Sequence, residues 1–319
     1  MIVNHVLSGH TRSAIFDAIF EYFRRFAGPD VEIVVSVEPV ADASVYHYHR
    51  PHQENALRQP AVTTVHHDLY DPDPWLALKR FLPRYEEAQH ITCLNQGQAD
   101  ELARLGLHHT SVIPHGYNHE VLMPRRRQVR DEPKVTLGLV SKYYERRFKG
   151  EAYLTELVKR LDPEHFSFVL VGEQRLVTAD ALLQLGFEVS LFEFLPYRLF
   201  QSLYESMDYL LMCSNFEGGP ANLPEAFATG TPVLATAVGF APDFIKDGEN
   251  GLILSGDPSH DAARLTRLVD PTDPLAARIS EGAMDLRQLT PTWEDVVGLY
   301  MSVYRTISMN DATPSISLR

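Results

Sequence analysis

Cysteine is scarce in this chain. Cys93 and Cys213 are the only two in 319 residues, too few and too far apart for a disulfide framework, so a reducing compartment is the simpler reading. No apolar run approaches the roughly 18 residues that a membrane span requires. The start, MIVNHVLSGHTRS, has no basic segment ahead of an apolar core, and no signal peptide is expected. Basic charge is also short: 29 Lys+Arg against 42 Asp+Glu give a formal net charge of −13, which argues against a general nucleic-acid binder. No G-x-G-x-x-G stands between a first strand and a helix, which counts against a dinucleotide enzyme. A cytoplasmic chain is expected, with contact at the inner face of a membrane left open.

What is present is ordinary globular composition, 45% hydrophobic and 22% charged, in a length that suits two domains. The acid is uneven. Residues 1–130 hold 13 basic and 15 acidic side chains, which leaves 16 and 27 in the remainder.

Short β-branched runs alternate with segments of helical period. Strands are expected at 31–37, 60–67, 90–95 and 110–116, with helices at 14–28 and 96–107. The polar segment 123–134, with four arginines and two prolines, reads as a linker. The alternation then restarts, with strands at 134–140, 166–172, 187–194, 208–214 and 231–237 and helices at 151–161 and 199–207. Such alternation implies parallel sheets covered by helices on both faces, here in two doubly wound, Rossmann-like α/β domains. In TWEDVVGLYMSVYRTI (292–307), Thr292 and Asp295 have near capping-box spacing, and Trp293, Val296, Val297, Tyr300 and Tyr304 fall on one face.

The stretch FEGGPANLPEAFATGTPV (216–233) carries the most chemistry. It follows a strand, at the edge where open α/β sheets bind ligands. Two readings of it compete. In the first, Asn222 caps a short helix and Glu225, at its third position, bonds back to the cap. In the second, Gly218 and Gly219 allow a ligand close to their backbone, the helix amides favour an anion, and Glu217 and Glu225 grip hydroxyls on either side. Phosphates in the middle and polyols at both ends describe a nucleoside diphosphate sugar. A cation cluster, Lys142, Arg146, Arg147 and Lys149, follows the first strand of the second half. It is either a solvated face or a phosphate grip. DPD at 71–73 has metal-binding spacing but reads as a turn; no metal and no cofactor are expected beyond the donor substrate.

These segments resemble the retaining glycosyltransferases of family 4, which have the GT-B fold of two Rossmann-like domains facing across a cleft. Glu217 and Glu225 match the E-x7-E signature, VSKYYERRFKG matches the basic segment ending in Lys-Gly, and 110–124, 228–254 and the last helix match in order. The resemblance implies an acceptor-side domain over 1–125, a linker at 126–133 and a nucleotide-sugar domain over 134–290. It also implies a helix at 291–308 that crosses back to the first domain, and a loose tail at 309–319. It puts Glu217 beside the transferred sugar and Glu225 on the ribose. The backbone of Gly218, Gly219, Ala221, Asn222 and Leu223 would meet sugar and phosphate, and Lys149 and Lys142, helped by Arg146 or Arg147, the diphosphate. His66 of TTVHHDL would face the donor sugar, though it also reads as a structural histidine. His115 reads as structural or as a rim group. Gly9 is the one glycine of a first loop that often has two, with His10 and Arg12 nearby, and Pro220 removes one backbone donor. Tyr197 is a candidate for stacking on the base.

Two functions follow. One is a metal-independent hexosyltransferase that moves a sugar from a nucleotide, UDP favoured over GDP, to a saccharide, lipid-linked or small-molecule hydroxyl. The other is a non-catalytic nucleotide-sugar-binding subunit. The segments AIFEYFRRF and RFLPRYEE mix aromatics with arginines; they read as helices packed on a sheet or as a membrane-touching surface.

Overall fold

The computed structural model describes residues 1–9, 14–124, 134–143 and 150–311. The chain forms two compact units, Met1–His115 with Thr292–Arg319, and Gly116–Pro291. Each contains one six-stranded sheet, and every registered pairing is parallel.

In the first unit the strands are β1 (Ile2–Val6), β2 (Glu32–Ser36), β3 (Val45–Tyr48), β4 (Ala61–Val65), β5 (His90–Cys93) and β6 (Thr110–Val112), in spatial order β2-β1-β3-β4-β5-β6. The second unit has β7 (Val135–Val140), β8 (Phe166–Val171), β9 (Glu188–Phe192), β10 (Tyr209–Met212), β11 (Val233–Thr236) and β12 (Gly251–Leu254), in order β12-β11-β10-β7-β8-β9. The order reverses between β1 and β3 in one sheet and between β7 and β10 in the other. Chains leaving neighbouring strands at such a switch point part to opposite faces and leave a crevice.

The nine expected strands are all present. Three more were not expected: β1, β3 and β12. The first two carry polar residues inside an apolar run, which hides their strand character. Asn4 and His5 of β1 and His47 of β3 are buried. Asn4 donates to Ser36 Oγ at 2.8 Å and accepts from the Val40 amide at 2.9 Å, so its burial leaves no polar group bare.

The last helix, Trp293–Asp311, completes the first unit. The Thr292–Asp295 box forms in both directions: Thr292 N–H donates to Asp295 Oδ2 at 2.9 Å, and Asp295 N–H donates to Thr292 Oγ1 at 3.1 Å. Trp293, Val296, Val297, Tyr300 and Tyr304 are all buried, in one cluster with Val3, Phe20, Phe23, Val45 and Val62. Tyr22 stacks on Trp293 with ring centroids 4.9 Å apart. The aromatic residues Phe20 and Phe23 of AIFEYFRRF therefore face the core, as do Phe81 and Tyr85 of RFLPRYEE. Among the described residues no helix is long and apolar enough to cross a membrane.

Candidate active site

Strands β7 and β10 are adjacent, and the loops after them flank the switch point of the second sheet. After β10 come Glu217, in the loop, and Glu225, in the first turn of the helix that follows. Glu217, the first, accepts a hydrogen bond from Ser214 Oγ at 2.7 Å. Helix Asn222–Thr229 follows and ends at Gly230, whose φ of 72° is the left-handed conformation of a helix stop.

The capping reading of this helix is overturned. The residue at the cap position is Ala221, and no side chain caps the turn. Asn222 instead donates from Nδ2 to the Val140 carbonyl at the end of β7, at 3.0 Å. It ties the two loops of the crevice together. Glu225 accepts from Tyr204 Oη at 2.8 Å. Burial pushes its carboxyl up to about 7, against the opposing effect of hydrogen bonds from Tyr204 and Tyr197. A carboxylate has about four lone-pair sites, so two phenols leave room for further donors.

The backbone donors are fewer than the sequence implied. Pro220 has no N–H, Pro224 has none within the first turn, and the Leu223 amide already donates to the Pro220 carbonyl at 3.2 Å. Side-chain charge therefore carries a larger share of the binding of any anion held here. Lys142 is half exposed just after β7, with Nζ 3.9 Å from a Glu173 carboxylate oxygen. Arg146, Arg147 and Lys149 lie outside the described residues, as do His10 and Arg12.

Sequence reasoning missed what anchors this loop. Arg175 is 1% exposed. Its guanidinium donates to the Ser141 carbonyl at 2.7 Å, Ser141 Oγ at 2.8 Å, Thr178 Oγ1 at 3.2 Å and Glu151 Oε1 at 2.7 Å. It thus holds Ser141 and Glu151, on either side of the basic segment. Gly150 has a φ of 71°, and a Cβ there would sit 1.7 Å from the Cys213 carbonyl oxygen, so the segment's end packs directly on the backbone after β10. A buried Arg in a helix-forming stretch carried no spacing signal that could have marked it.

Tyr197 begins a 3-10 turn, Tyr197–Leu199, with its ring 4.8 Å from Phe200. In the first unit, Gly9 follows β1 with a φ of 82°, and a Cβ there would lie 2.6 Å from Gln53 Oε1. His66 follows β4 and is half-buried, with Nε2 2.9 Å from His49 Nδ1. His115 is buried against Trp293, with ring centroids 5.6 Å apart. DPD is a set of side-chain turns: Asp71 accepts from the Asp73 amide at 2.8 Å and Asp73 from the Trp75 amide at 2.9 Å. Cys93 and Cys213 are buried and not bonded to each other.

Residues 134–271 match the family model described as glycosyl transferases group 1. A D-inositol 3-phosphate glycosyltransferase of Thermomonospora curvata is 35% identical over 111 residues, which cover 34% of this chain and 25% of that protein. The protein of the same name from Rhodococcus jostii is 31% identical over 166 residues, 49% of this chain and 36% of that one. The matched stretches thus span at most about a third of these relatives. Among solved structures, sucrose-phosphate synthase from Thermosynechococcus elongatus superposes with a TM-score of 0.76 at 15% identity, over 98% of this chain and 100% of that one. HepE from Anabaena, in complex with UDP-glucose, gives 0.73 at 16% identity, over 96% and 99%. The fold is therefore that of GT-B glycosyltransferases, two parallel six-stranded sheets with flanking helices, and residues 134–271 resemble the group 1 glycosyl transferases in sequence as well.

Proposed function

We propose that the chain is a retaining glycosyltransferase that moves a sugar from a nucleoside diphosphate sugar, UDP in preference to GDP, to an acceptor hydroxyl. The observation that carries this reading is the β7–β10 switch point, where Glu217 and Glu225 flank a glycine-bearing loop and Asn222 ties that loop to the end of β7. The preference for UDP draws on the Anabaena structure, which holds UDP-glucose.

In this reading Glu225 accepts from the ribose hydroxyls and Glu217 from the transferred sugar. The loop Gly218–Leu223 approaches sugar and phosphate. Lys142 and Lys149, with Arg146 or Arg147, neutralise the diphosphate. His66 meets the sugar. The bond from the anomeric carbon to the phosphate oxygen breaks as the acceptor oxygen bonds to the same face. The acceptor's proton passes to the departing phosphate, so no protein base is assigned. Charge grows on the diphosphate during this step, so cations fixed beside it stabilise the transition state more than the ground state. One such contact is worth about 3 kcal/mol of barrier. The charge on the diphosphate is met by side chains and amides, with no resident metal in the scheme.

The test is a thermal-shift screen against UDP-, GDP-, ADP- and dTDP-sugars, followed by UDP release from UDP-glucose in the absence of acceptor. A donor raises the melting temperature by mass action, and slow hydrolysis separates an enzyme from a binding subunit. No stabilisation by any nucleotide sugar at millimolar concentration overturns the reading.

A further inference from the structure

Three histidines from three strand segments meet at the switch point of the first sheet. His5 is in β1, His49 follows β3 and His66 follows β4. They form a chain of ring contacts: His5 Nδ1 to His49 Nε2 at 2.9 Å, and His49 Nδ1 to His66 Nε2 at 2.9 Å. The inner end is closed, because His5 Nε2 is buried with no hydrogen-bond partner. Phe20 and Phe23 stand against that ring, with centroids at 5.4 and 4.4 Å. The outer end is open: among the described residues nothing bonds His66 Nδ1, the atom is not one of the buried unpartnered ones, and the His66 residue is only partly buried.

We propose that His5 and His49 are positioning residues that fix His66 as the Nδ1–H tautomer, so that it presents a hydrogen-bond donor to a ligand oxygen. The reasoning is a matter of counting protons. A neutral imidazole has one N–H and one lone pair, and each contact requires one of each. Two consistent arrangements exist. In one, every ring is protonated at Nδ1, and the closed end is a bare lone pair on His5 Nε2. In the other, every ring is protonated at Nε2, and the closed end is a buried N–H with no acceptor. An orphaned buried donor is the rarer and costlier state. The positive charge of Arg24, which acts on His5, also disfavours a proton pole there. The first arrangement therefore holds. Burial keeps all three rings neutral, lowering His5 to about 3 and His49 and His66 well below the usual range. A proton conduit would need two open ends; this chain has one, so it stores an orientation.

His47 lies beside the chain but outside it. Its Nδ1 meets Tyr304 Oη at 2.5 Å and its Nε2 meets Thr64 Oγ1 at 2.7 Å. One ring nitrogen each from His5, His47 and His49 lie within 4.8 Å of one another, close enough for a metal ion to be the rival explanation. A metal could take the unpartnered His5 Nε2, but it would have to replace one of the two ring contacts of His49 and one of the two hydroxyl contacts of His47.

The tautomer itself is independent of the proposed function; only its use toward a sugar donor rests on that reading. The experiment is long-range 1H–15N correlation of the full chain with labelled histidine at pH 7, with and without UDP-glucose. Nδ1–H signatures are expected for His5, His49 and His66. An Nε2–H or charged His66, or stoichiometric zinc whose chelation shifts these signals, overturns the proposal. His5→Asn keeps a donor near the Nδ1 position and His5→Leu removes it. His5→Leu is expected to lose the His66 Nδ1–H signature and weaken UDP-glucose binding about tenfold, as for other groups that act through a neighbour; His5→Asn is expected to keep both. Should either variant fail to fold, the wild-type spectrum still decides. Nδ1–H rings in a protein that ignores UDP-glucose leave the tautomer chain standing and remove the functional reading. An Nε2–H His66 in a protein that turns UDP-glucose over does the opposite.

Discussion

Tyr204 donates from its phenol to Glu225 Oε2 at 2.8 Å, and the same phenol lies 3.2 Å from the Asn222 carbonyl. One buried hydroxyl thus meets both Glu225 and the carbonyl of the residue that ties its helix to β7. Tyr204→Phe leaves Glu225 short of a donor and is expected to cost about 1–2 kcal/mol of stability, read as a lower urea midpoint, with weaker UDP-glucose binding by calorimetry.

Glu225 sets a pH dependence. Its carboxyl titrates near 7 in the folded chain because of burial, above the usual carboxylate range. Ribose hydroxyls donate, so they favour the ionised form. UDP-glucose binding is then expected to weaken as the pH falls from 8 to 5.5 and to release a proton near pH 7, seen as a calorimetric heat that varies with buffer ionisation. Glu225→Gln is expected to bind weakly and lose that dependence. The stability sign is the reverse. The folded chain holds this proton more tightly than the unfolded chain, so the contribution is full below about pH 4.5 and is lost as the pH rises through 7. Glu225→Gln is therefore expected to be more stable than the parent above pH 7.

Arg175→Met would leave the part-buried Glu151 and Ser141 groups without their shared donor. A loss of about 1–3 kcal/mol is expected, measured by denaturant unfolding. Arg175→Lys keeps the charge but not the fork. It is expected to fold and to show a higher KM for the donor, because Ser141 immediately precedes Lys142.

Gly150→Ala is a test of the basic segment's seat. The added methyl would overlap the Cys213 carbonyl, a backbone atom that cannot swing aside, and φ is left-handed as well. The melting temperature and the donor affinity are both expected to fall, the affinity being read by calorimetry well below the melting temperature.

Thr292→Ala removes one side of the capping box at the last helix. A loss of about 1 kcal/mol is expected, visible as a lower melting temperature.

Alternation of short apolar runs with helical periods was enough to read nine strands and both sheets. It failed at β1 and β3, where Asn4, His5 and His47 interrupt the pattern. Their burial is made affordable by partners far away in sequence, such as Ser36 for Asn4 and Tyr304 for His47. No local window contains those partners. Helix Pro274–Leu289 was also unread, although Asp273 caps it and Pro274 opens it. At the candidate site, spacing singled out Glu217 and Glu225 as candidates, and the structure places them beside the β7–β10 switch point; spacing assigned Asn222 to the wrong bond. The capping pattern describes chain neighbours, and the Val140 carbonyl that wins the Asn222 amide comes from another strand. Arg175 and Tyr204 were invisible for the same reason: their value lies in what the fold brings to them.

The first unit is interrupted. Its core needs Trp293, Val296 and Tyr300 beside Phe20 and Phe23, yet the whole of Gly116–Pro291 is inserted between its two parts. During synthesis the order of maturation is therefore inverted: Gly116–Pro291 can close its own hydrophobic interior while residues 1–115 still wait for Trp293–Asp311. Until that helix leaves the ribosome, the apolar flank that carries Phe20 and Phe23 stays uncovered, and in that interval the nascent chain is open to misassociation.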